Sequence, residues 1–293
     1  SIRMAEIEEA TTKVIAGPAK KSRVISEAER KLTAYHEAGH AVVMRSTPGS
    51  DPVHQVTIIP RGQAGGFTMW LPTEDRTFDT KGNMQNTIMH MLGGRVAEAL
   101  TLDDISTGAS NDIQRATEIA RDMVTKYGFS DNIGPVNYSD SDEVFLGKDF
   151  STKKNFSDGV ASKIDEEVKN IMVAGYDGAE KILKENMDKL ETIAQALLRV
   201  ETLDGEQFEA LYTGAIDAEG LEKQVHEKEE ELKKANAKEA EKFEKIRKEE
   251  EEKLAADLAR YDTDYMDEDG NPKSEEEQPE SEESKDDTDP KKE

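Results

Sequence analysis

Apolar side chains recur at helical spacing in several separate segments of the first 213 residues. Most of these segments end at glycine, proline or a short polar turn, as helices commonly do. The first stops at Gly17 and Pro18, and the second begins at Ser26 and Glu29, which match a capping box. The pattern predicts a mainly α-helical domain with helices at about 2–16, 26–46, 80–100, 111–127, 157–187, 188–200 and 204–212.

Two short segments depart from the helical pattern. Residues 53–59 and 66–71 are rich in β-branched, aromatic and other apolar side chains, which favour strands. Pro60 and Gly62 lie between them and are typical of a turn. The sequence therefore predicts a small β element, a hairpin-like pair of strands with a glycine-rich connection.

The segment 218–260 is charged throughout and predicts one long, exposed helix. Glutamate precedes lysine by four residues at several positions, for example Glu230 and Lys234 or Glu244 and Lys248, which is the orientation that stabilises isolated helices. The apolar residues of this segment hold no sustained heptad, so a strong coiled coil is not expected. We interpret the segment as a solvated helical extension.

The composition is strongly acidic, and acidic residues are most concentrated at the end of the chain. There are 39 basic and 64 acidic residues, which give a formal net charge of −25. Residues 261–293 hold 15 of the acidic and 4 of the basic residues and almost nothing apolar, so this tail is predicted to be disordered. The acidic balance also argues against nucleic acid as a partner, because nucleic-acid binding requires a basic face.

The chain has no segment of about 18 or more consecutive apolar residues, which a membrane-spanning helix would need. It contains no cysteine, which is compatible with a reducing compartment. Because the chain opens with serine rather than methionine, inside a helical pattern, we expect it to be a piece of a longer protein.

One motif carries the chemistry of the chain. His36 and His40 are four residues apart on the second predicted helix, so both imidazoles project from one face and can bind a single ion. Glu37 follows the first histidine, and this His-Glu-x-x-His pattern is typical of zinc hydrolases. Zinc lowers the pKa of bound water, and Glu37 is expected to take its proton during attack on a peptide carbonyl. The alternative is a buried histidine pair without a metal.

A catalytic zinc site needs a third protein ligand. The longer motif that supplies a third histidine is absent, because Val43 and Ser46 stand where its glycine and histidine would be. The ligand is then expected to be a carboxylate on a later helix, and Glu98 and Asp112 are both candidates that residue chemistry alone does not separate. His90 lies in a helix among methionines and is interpreted as a packing or surface residue.

Several blocks of the sequence together resemble the peptidase domain of the FtsH family of ATP-dependent zinc metalloproteases. The blocks lie at residues 34–41, 59–66, 71–76, 92–98, 106–113 and 200–205. They occur in the order found in the family, and the resemblance covers about residues 1–212. Within it, residues 1–17 resemble the last helix of the AAA+ ATPase module that precedes the peptidase domain, and residues 20–26 resemble the linker between the two.

The resemblance implies roles for individual residues. It maps the family's third zinc ligand onto Asp112, and it places Glu98 near the site, where Glu98 would orient a ligand histidine. It also implies that the second strand is an edge strand that binds an extended peptide through backbone hydrogen bonds. The residues expected to bind substrate are Gly65, Gly66, Phe67, Thr68 and Met69.

The resemblance and the composition together predict the organisation of the chain. The expected segments are the end of the AAA+ lid helix with the linker (1–25), the zinc metallopeptidase domain (26–213), a charged helical extension (214–260) and the disordered acidic tail (261–293). ATP is expected to bind in the full-length protein only, because this chain lacks a Gly-x-x-x-x-Gly-Lys-Ser/Thr loop.

For the full-length protein, the resemblance implies a homo-hexamer at the cytoplasmic face of the cell membrane, anchored through N-terminal segments that this chain does not contain. Its expected substrates are unfolded or membrane polypeptides. Two other interpretations stay open: an inactive zinc-binding scaffold, and a zinc hydrolase that acts on substrates other than peptides. An intact Glu37 argues against the first, and the sequence blocks outside the His-Glu-x-x-His motif argue against the second.

Overall fold

The computed structural model describes residues 10–11, 13–14, 17–18, 25–62, 64–72, 74–139 and 156–265, with backbone alone for residues 229, 239 and 257–265. Residues 10–11 and 13–14 are helical. The remainder of the helix predicted at 2–16 and nearly all of the predicted linker lie outside the described residues. So do residues 266–293, which make up most of the predicted acidic tail.

From residue 25 onwards, seven helices and three strands are described. They are α1 (Glu27–Ser46), β1 (Val53–Thr57), β2 (Phe67–Trp70), α2 (Lys81–Thr101), α3 (Ser110–Thr125), α4 (Asp158–Glu185), α5 (Met187–Val200), β3 (Thr202–Asp204), α6 (Gly205–Thr213) and α7 (Ala218–Tyr265). The predicted mainly α fold with a small β element is confirmed. Helix α7 continues to Tyr265, beyond the predicted end of the helical extension at residue 260.

Local signals in the sequence set several helix ends. Ser26 Oγ accepts a hydrogen bond from the Glu29 backbone N–H at 3.2 Å, which satisfies one of the free donors at the start of α1. Asp204 and Gln207 form a reciprocal capping box at the start of α6. These caps explain why the predicted and observed starts of both helices agree closely.

The three strands form one small antiparallel sheet in the order β2-β1-β3. β1 and β2 are the predicted hairpin-like pair, with Thr57 opposite Phe67 and Val56 opposite Thr68. β3 was not predicted, because it has only three residues in the four-residue connection between α5 and α6, too few to show a strand pattern. With β1 at the centre, β2 is left at one edge of the sheet.

Two clusters of buried apolar side chains hold the helices together. The larger surrounds the buried face of α1, where Val42 belongs to one cluster with residues of α2, α5 and the sheet, among them Val96, Leu197 and Val56. The smaller joins α2 to α3 and α4 through residues that include Ile88 and Met123. Because α2 contributes to both clusters, it lies between α1 and α3 and brings the predicted zinc motif of α1 close to the start of α3.

The chain divides after Val225 into two compact units. The first eight residues of α7 belong with the preceding helices, since Leu221 is buried in the larger cluster and Arg199 of α5 contacts Glu222 at 2.7 Å. The described side chains from His226 to Ala256 of α7 are exposed, and some form ion pairs one turn apart, such as Lys248 with Glu244 at 3.3 Å. None of the helices within the described ranges combines the length and hydropathy needed to cross a membrane.

Candidate metal centre

The two histidines of the predicted motif lie one turn apart on the face of α1 that meets α2. His36 is 8% exposed. The Nε2 atoms of His36 and His40 are 3.0 Å apart, and the two rings meet edge to face. The spacing of the motif therefore places one imidazole nitrogen of each histidine at the same point.

Asp112 lies in the first turn of α3 and reaches the same point. Its Oδ2 atom is 3.3 Å from His36 Nε2 and 3.5 Å from His40 Nε2. Within the described residues, these three side chains are the group whose nitrogen and oxygen atoms are close enough together to hold a metal ion. Of the two carboxylates that residue chemistry left open, the structure thus brings Asp112, and not Glu98, to the pair of Nε2 atoms.

Glu98 instead contacts the other nitrogen of His36. Its Oε1 atom is 2.7 Å from His36 Nδ1, and the side chain is fully buried. The Ser106 backbone N–H donates to Glu98 Oε2 at 2.7 Å, and the Ser106 hydroxyl donates to Oε1 at 3.1 Å. Ser106 thereby fixes Glu98, and Glu98 fixes the plane of the His36 ring.

His40 is oriented in the same way by a group that sequence reasoning missed. Its Nδ1 donates to the backbone carbonyl of His90 in α2 at 2.7 Å. The His90 ring is itself hydrogen-bonded to Ser50 at 3.0 Å, and burial, followed by the nearby His40, lowers the pKa of His90 to about 4. The position of the ring is compatible with its predicted packing role. The contact of the His90 carbonyl with His40 could not be predicted from the sequence, because every residue type has a backbone carbonyl.

These contacts make the site chemically suited to a cation. A carboxylate and a carbonyl can only accept, so the protons of the neutral rings of His36 and His40 sit on Nδ1. Both Nε2 atoms then present lone pairs to each other and to the Asp112 carboxylate. Three acceptors at these distances repel one another unless a proton or a bound cation lies between them. Two imidazoles and a carboxylate are also a ligand set that zinc uses in hydrolases.

The titration behaviour of the side chains supports the same picture. Burial lowers the pKa of His36, but its hydrogen bonds with Asp112 and Glu98 outweigh this and raise the pKa to about 10. Burial raises the pKa of Asp112, and its hydrogen bonds with His36 and His40 outweigh that effect and hold the pKa well below its usual range. The pocket therefore favours positive charge at the point where the three side chains meet.

Glu37 lies beside the three candidate ligands but is not one of them. It is 6% exposed, and its Oε2 atom accepts a hydrogen bond from the hydroxyl of Thr68 in β2 at 2.9 Å. Burial raises the pKa of Glu37, although the two histidines and Thr68 oppose the shift. A carboxylate with a raised pKa next to a metal site is suited to accept a proton.

The candidate ligands and Glu37 line a cleft of about 690 Å³, and β2 forms part of its wall. Four of the five residues predicted to bind substrate line this cleft, namely Gly65, Gly66, Phe67 and Thr68. Met69 is the exception. Its side chain is buried and does not line the cleft.

Gly94 of α2 gives a first test of this centre. A Cβ atom at Gly94 would lie 2.6 Å from His36 Nε2 and 2.6 Å from His40 Nε2, which is closer than atoms pack. We expect Gly94→Ala to turn both rings and to weaken zinc binding about 10- to 100-fold, as other changes that misorient ligands do. Competition with a zinc-binding dye measures the affinity.

The matched control is Gly82→Ala on the same helix. The nearest atom to its new Cβ, Thr80 Oγ1, would be 3.9 Å away, so zinc affinity should not change. Equal zinc affinity in Gly94→Ala and in the unmodified chain would show that the two rings do not lie against α2 as described.

Comparison with known proteins gives a consistent result. The sequence profile of Peptidase family M41 matches residues 23–211. The ATP-dependent zinc metalloprotease FtsH 2 of Alkaliphilus metalliredigens is 63% identical over 216 residues, which cover 73% of this chain and 31% of that protein. The FtsH of Bacillus subtilis, also named an ATP-dependent zinc metalloprotease, is 54% identical over 208 residues, which cover 70% of this chain and 33% of the relative. The chain thus spans about a third of the length of these relatives.

Proposed function

The chain belongs to peptidase family M41, and we propose that it is the peptidase portion of an FtsH-type, ATP-dependent zinc metalloprotease. One structural observation carries the proposal: His36 Nε2, His40 Nε2 and Asp112 Oδ2 converge on one point beside the buried carboxylate of Glu37. The names of the similar proteins indicate zinc as the metal and proteolysis as the reaction, and the residues that meet at this point are suited to both.

The proposed cofactor is zinc, with His36, His40 and Asp112 as its ligands. When bound there, zinc acts as a Lewis acid that acidifies water and polarises a carbonyl oxygen. The chain's own residues prepare this site. Glu98 and the His90 carbonyl each hold an Nδ1 proton, so that the Nε2 lone pairs of both rings remain available to the ion.

Glu37 is the proposed general base. Its carboxylate takes a proton from the attacking water and then returns a proton to the leaving amine of the cleaved peptide bond. Burial favours the neutral acid and so makes the ionised form of Glu37 a stronger base than an exposed glutamate. The residue can do this without contacting the metal, because it is not part of the converging group.

Strand β2 is the proposed binding site for the substrate backbone. It is an edge strand, and it forms a wall of the cleft that contains Glu37 and the candidate ligands. An extended peptide can add to such an edge through backbone hydrogen bonds, which bind many different sequences. This mode fits an enzyme that degrades unfolded polypeptides of varied sequence.

The proposal extends to the longer protein of which this chain would be a part. By similarity to the FtsH relatives, we propose a homo-hexamer in which an ATPase module feeds unfolded or membrane polypeptides to the peptidase sites. We also propose an anchor outside this chain that holds the protein at the cytoplasmic face of the cell membrane. The ATP requirement belongs to that longer protein.

Removal of the metal tests the proposed function. A zinc chelator should abolish hydrolysis of a short quenched fluorogenic peptide, and added zinc should restore it. In the longer protein, degradation of casein should in addition require ATP. If the chain binds zinc in stoichiometric amount but cleaves no peptide, the scaffold interpretation would be favoured. Zinc-dependent cleavage of esters but not of peptides would favour a different hydrolase.

A further inference from the structure

Within the described residues, one side chain, that of Thr68, donates a hydrogen bond to the carboxylate of Glu37. Its Oε2 atom accepts a hydrogen bond from Thr68 Oγ1 at 2.9 Å, and the same hydroxyl lies 3.1 Å from the Glu37 backbone carbonyl. Glu37 Oε1 accepts no hydrogen bond from the described residues, and Glu37 lines the cleft. One oxygen is therefore held, and the other is left to face the cleft.

The backbone around Thr68 is itself closely fixed against Glu37. Thr68 is paired with Val56 in the ladder between β2 and β1. Two residues earlier, a Cβ atom at Gly66 would lie 3.0 Å from Glu37 Cγ and 2.6 Å from the Thr57 carbonyl oxygen. Only glycine fits this close approach, which lets β2 lie directly on the side chain of Glu37.

The inference rests on the proposed function, in which Glu37 is the general base. We propose that Thr68 is a positioning residue for this base: its hydroxyl holds Glu37 Oε2, so that Oε1 is directed at the attacking water. A glutamate side chain has three rotatable bonds, and a free one spends only part of its time in any single orientation. The bond from Thr68 removes that freedom before substrate binds.

The position of Thr68 in the sheet gives the proposal a second consequence. Thr68 lies in the edge strand that the proposed function assigns to the substrate backbone. A peptide that pairs with β2 therefore binds to the same strand that orients the base. Thr68 thus links the proposed peptide-binding strand to the position of Glu37.

Thr68→Val is the direct test, because it keeps the shape and β-branching of threonine and removes only the hydroxyl. We expect kcat for a short quenched fluorogenic peptide to fall about 10- to 100-fold, as misplacement of a catalytic group does, while KM changes less than about twofold. Zinc content should stay equal to that of the unmodified chain. Thr68→Ser restores the hydroxyl and should bring kcat back to within about threefold.

The matched control is Thr202→Val in β3, the other edge of the same sheet. Thr202 Oγ1 is also hydrogen-bonded, to Thr57 Oγ1 at 2.7 Å, but it does not line the cleft. We expect its kcat and KM to equal those of the unmodified chain. If Thr68→Val does not fold, judged by circular dichroism, Thr68→Ala replaces it in the comparison.

Three outcomes overturn the proposal. A kcat of Thr68→Val equal to that of the unmodified chain would show that Glu37 needs no help from Thr68. Equal losses of kcat in Thr68→Val and Thr68→Ser, or loss of zinc in both, would show that Thr68 acts through the packing of β2 and not through its hydroxyl. Failure of the proposed function is a separate result, because the unmodified chain would then cleave no peptide with zinc bound.

Discussion

Glu37→Gln is expected to abolish peptide hydrolysis and to leave zinc bound. The substitution keeps the size of the side chain and an oxygen that can accept from Thr68, but it removes the ability to take a proton. Since general-base catalysis contributes about 10²- to 10⁴-fold, the rate should fall by at least that range. The candidate ligands do not include Glu37, so zinc content measured by elemental analysis should match that of the unmodified chain.

Glu191→Gln is a suitable control for this change. Glu191 accepts a hydrogen bond from the hydroxyl of Tyr35, which directly precedes the motif, at 2.7 Å. The control therefore makes the same chemical change next to α1 but outside the cleft. We expect full activity in Glu191→Gln. Loss of zinc in Glu37→Gln would count against its role as a base that does not bind the metal.

The parts of the fold that the sequence predicts best depend on local patterns. Helix α1 follows from an apolar period and from Ser26, whose side chain caps the first turn. Strands β1 and β2 follow from two apolar segments separated by Pro60 and Gly62. Strand β3 does not, because its three residues become a strand only through pairing with β1, at a distance in the sequence.

The same distinction applies to the candidate site. The spacing of His36 and His40 is a property of one helix, so the sequence predicts that they share a face. The contact of His40 with the carbonyl of His90 joins two helices. It also involves a backbone atom that every residue type has, so no reading of residue types could find it. The hydrogen bond between Thr68 and Glu37 likewise joins a strand to a helix.

The third ligand could not be identified from residue chemistry alone. Glu98 and Asp112 are both carboxylates on helices that follow the motif, and nothing in their residue types separates them. In the structure, packing of α2 between α1 and α3 directs Glu98 to His36 Nδ1 and Asp112 to the two Nε2 atoms. The family resemblance favours the same assignment, but by analogy and not through a contact.

Asp112→Ala should therefore weaken zinc binding more than Glu98→Gln. Removal of Asp112 leaves only the two histidines as ligands, too few for a stable zinc site, and we expect a loss of affinity of more than about 100-fold. Glu98→Gln keeps an oxygen that can accept from His36 Nδ1, but it removes the charge and places an amide NH2 where Oε2 accepts from the Ser106 backbone N–H. Its expected loss of affinity is about 10- to 100-fold, the range typical of groups that orient a ligand.

Competition with a zinc-binding dye measures both affinities, and Asp122→Ala serves as the control for Asp112→Ala. Asp122 lies on the same helix, α3, and outside both the cleft and the candidate ligand group, so its replacement should leave zinc affinity unchanged. The assignment depends on the order of the two effects. If Glu98→Gln lost more zinc affinity than Asp112→Ala, Glu98 would have to bind the metal itself. The ring of His36 would then have to turn away from the position in which its Nδ1 donates to Glu98.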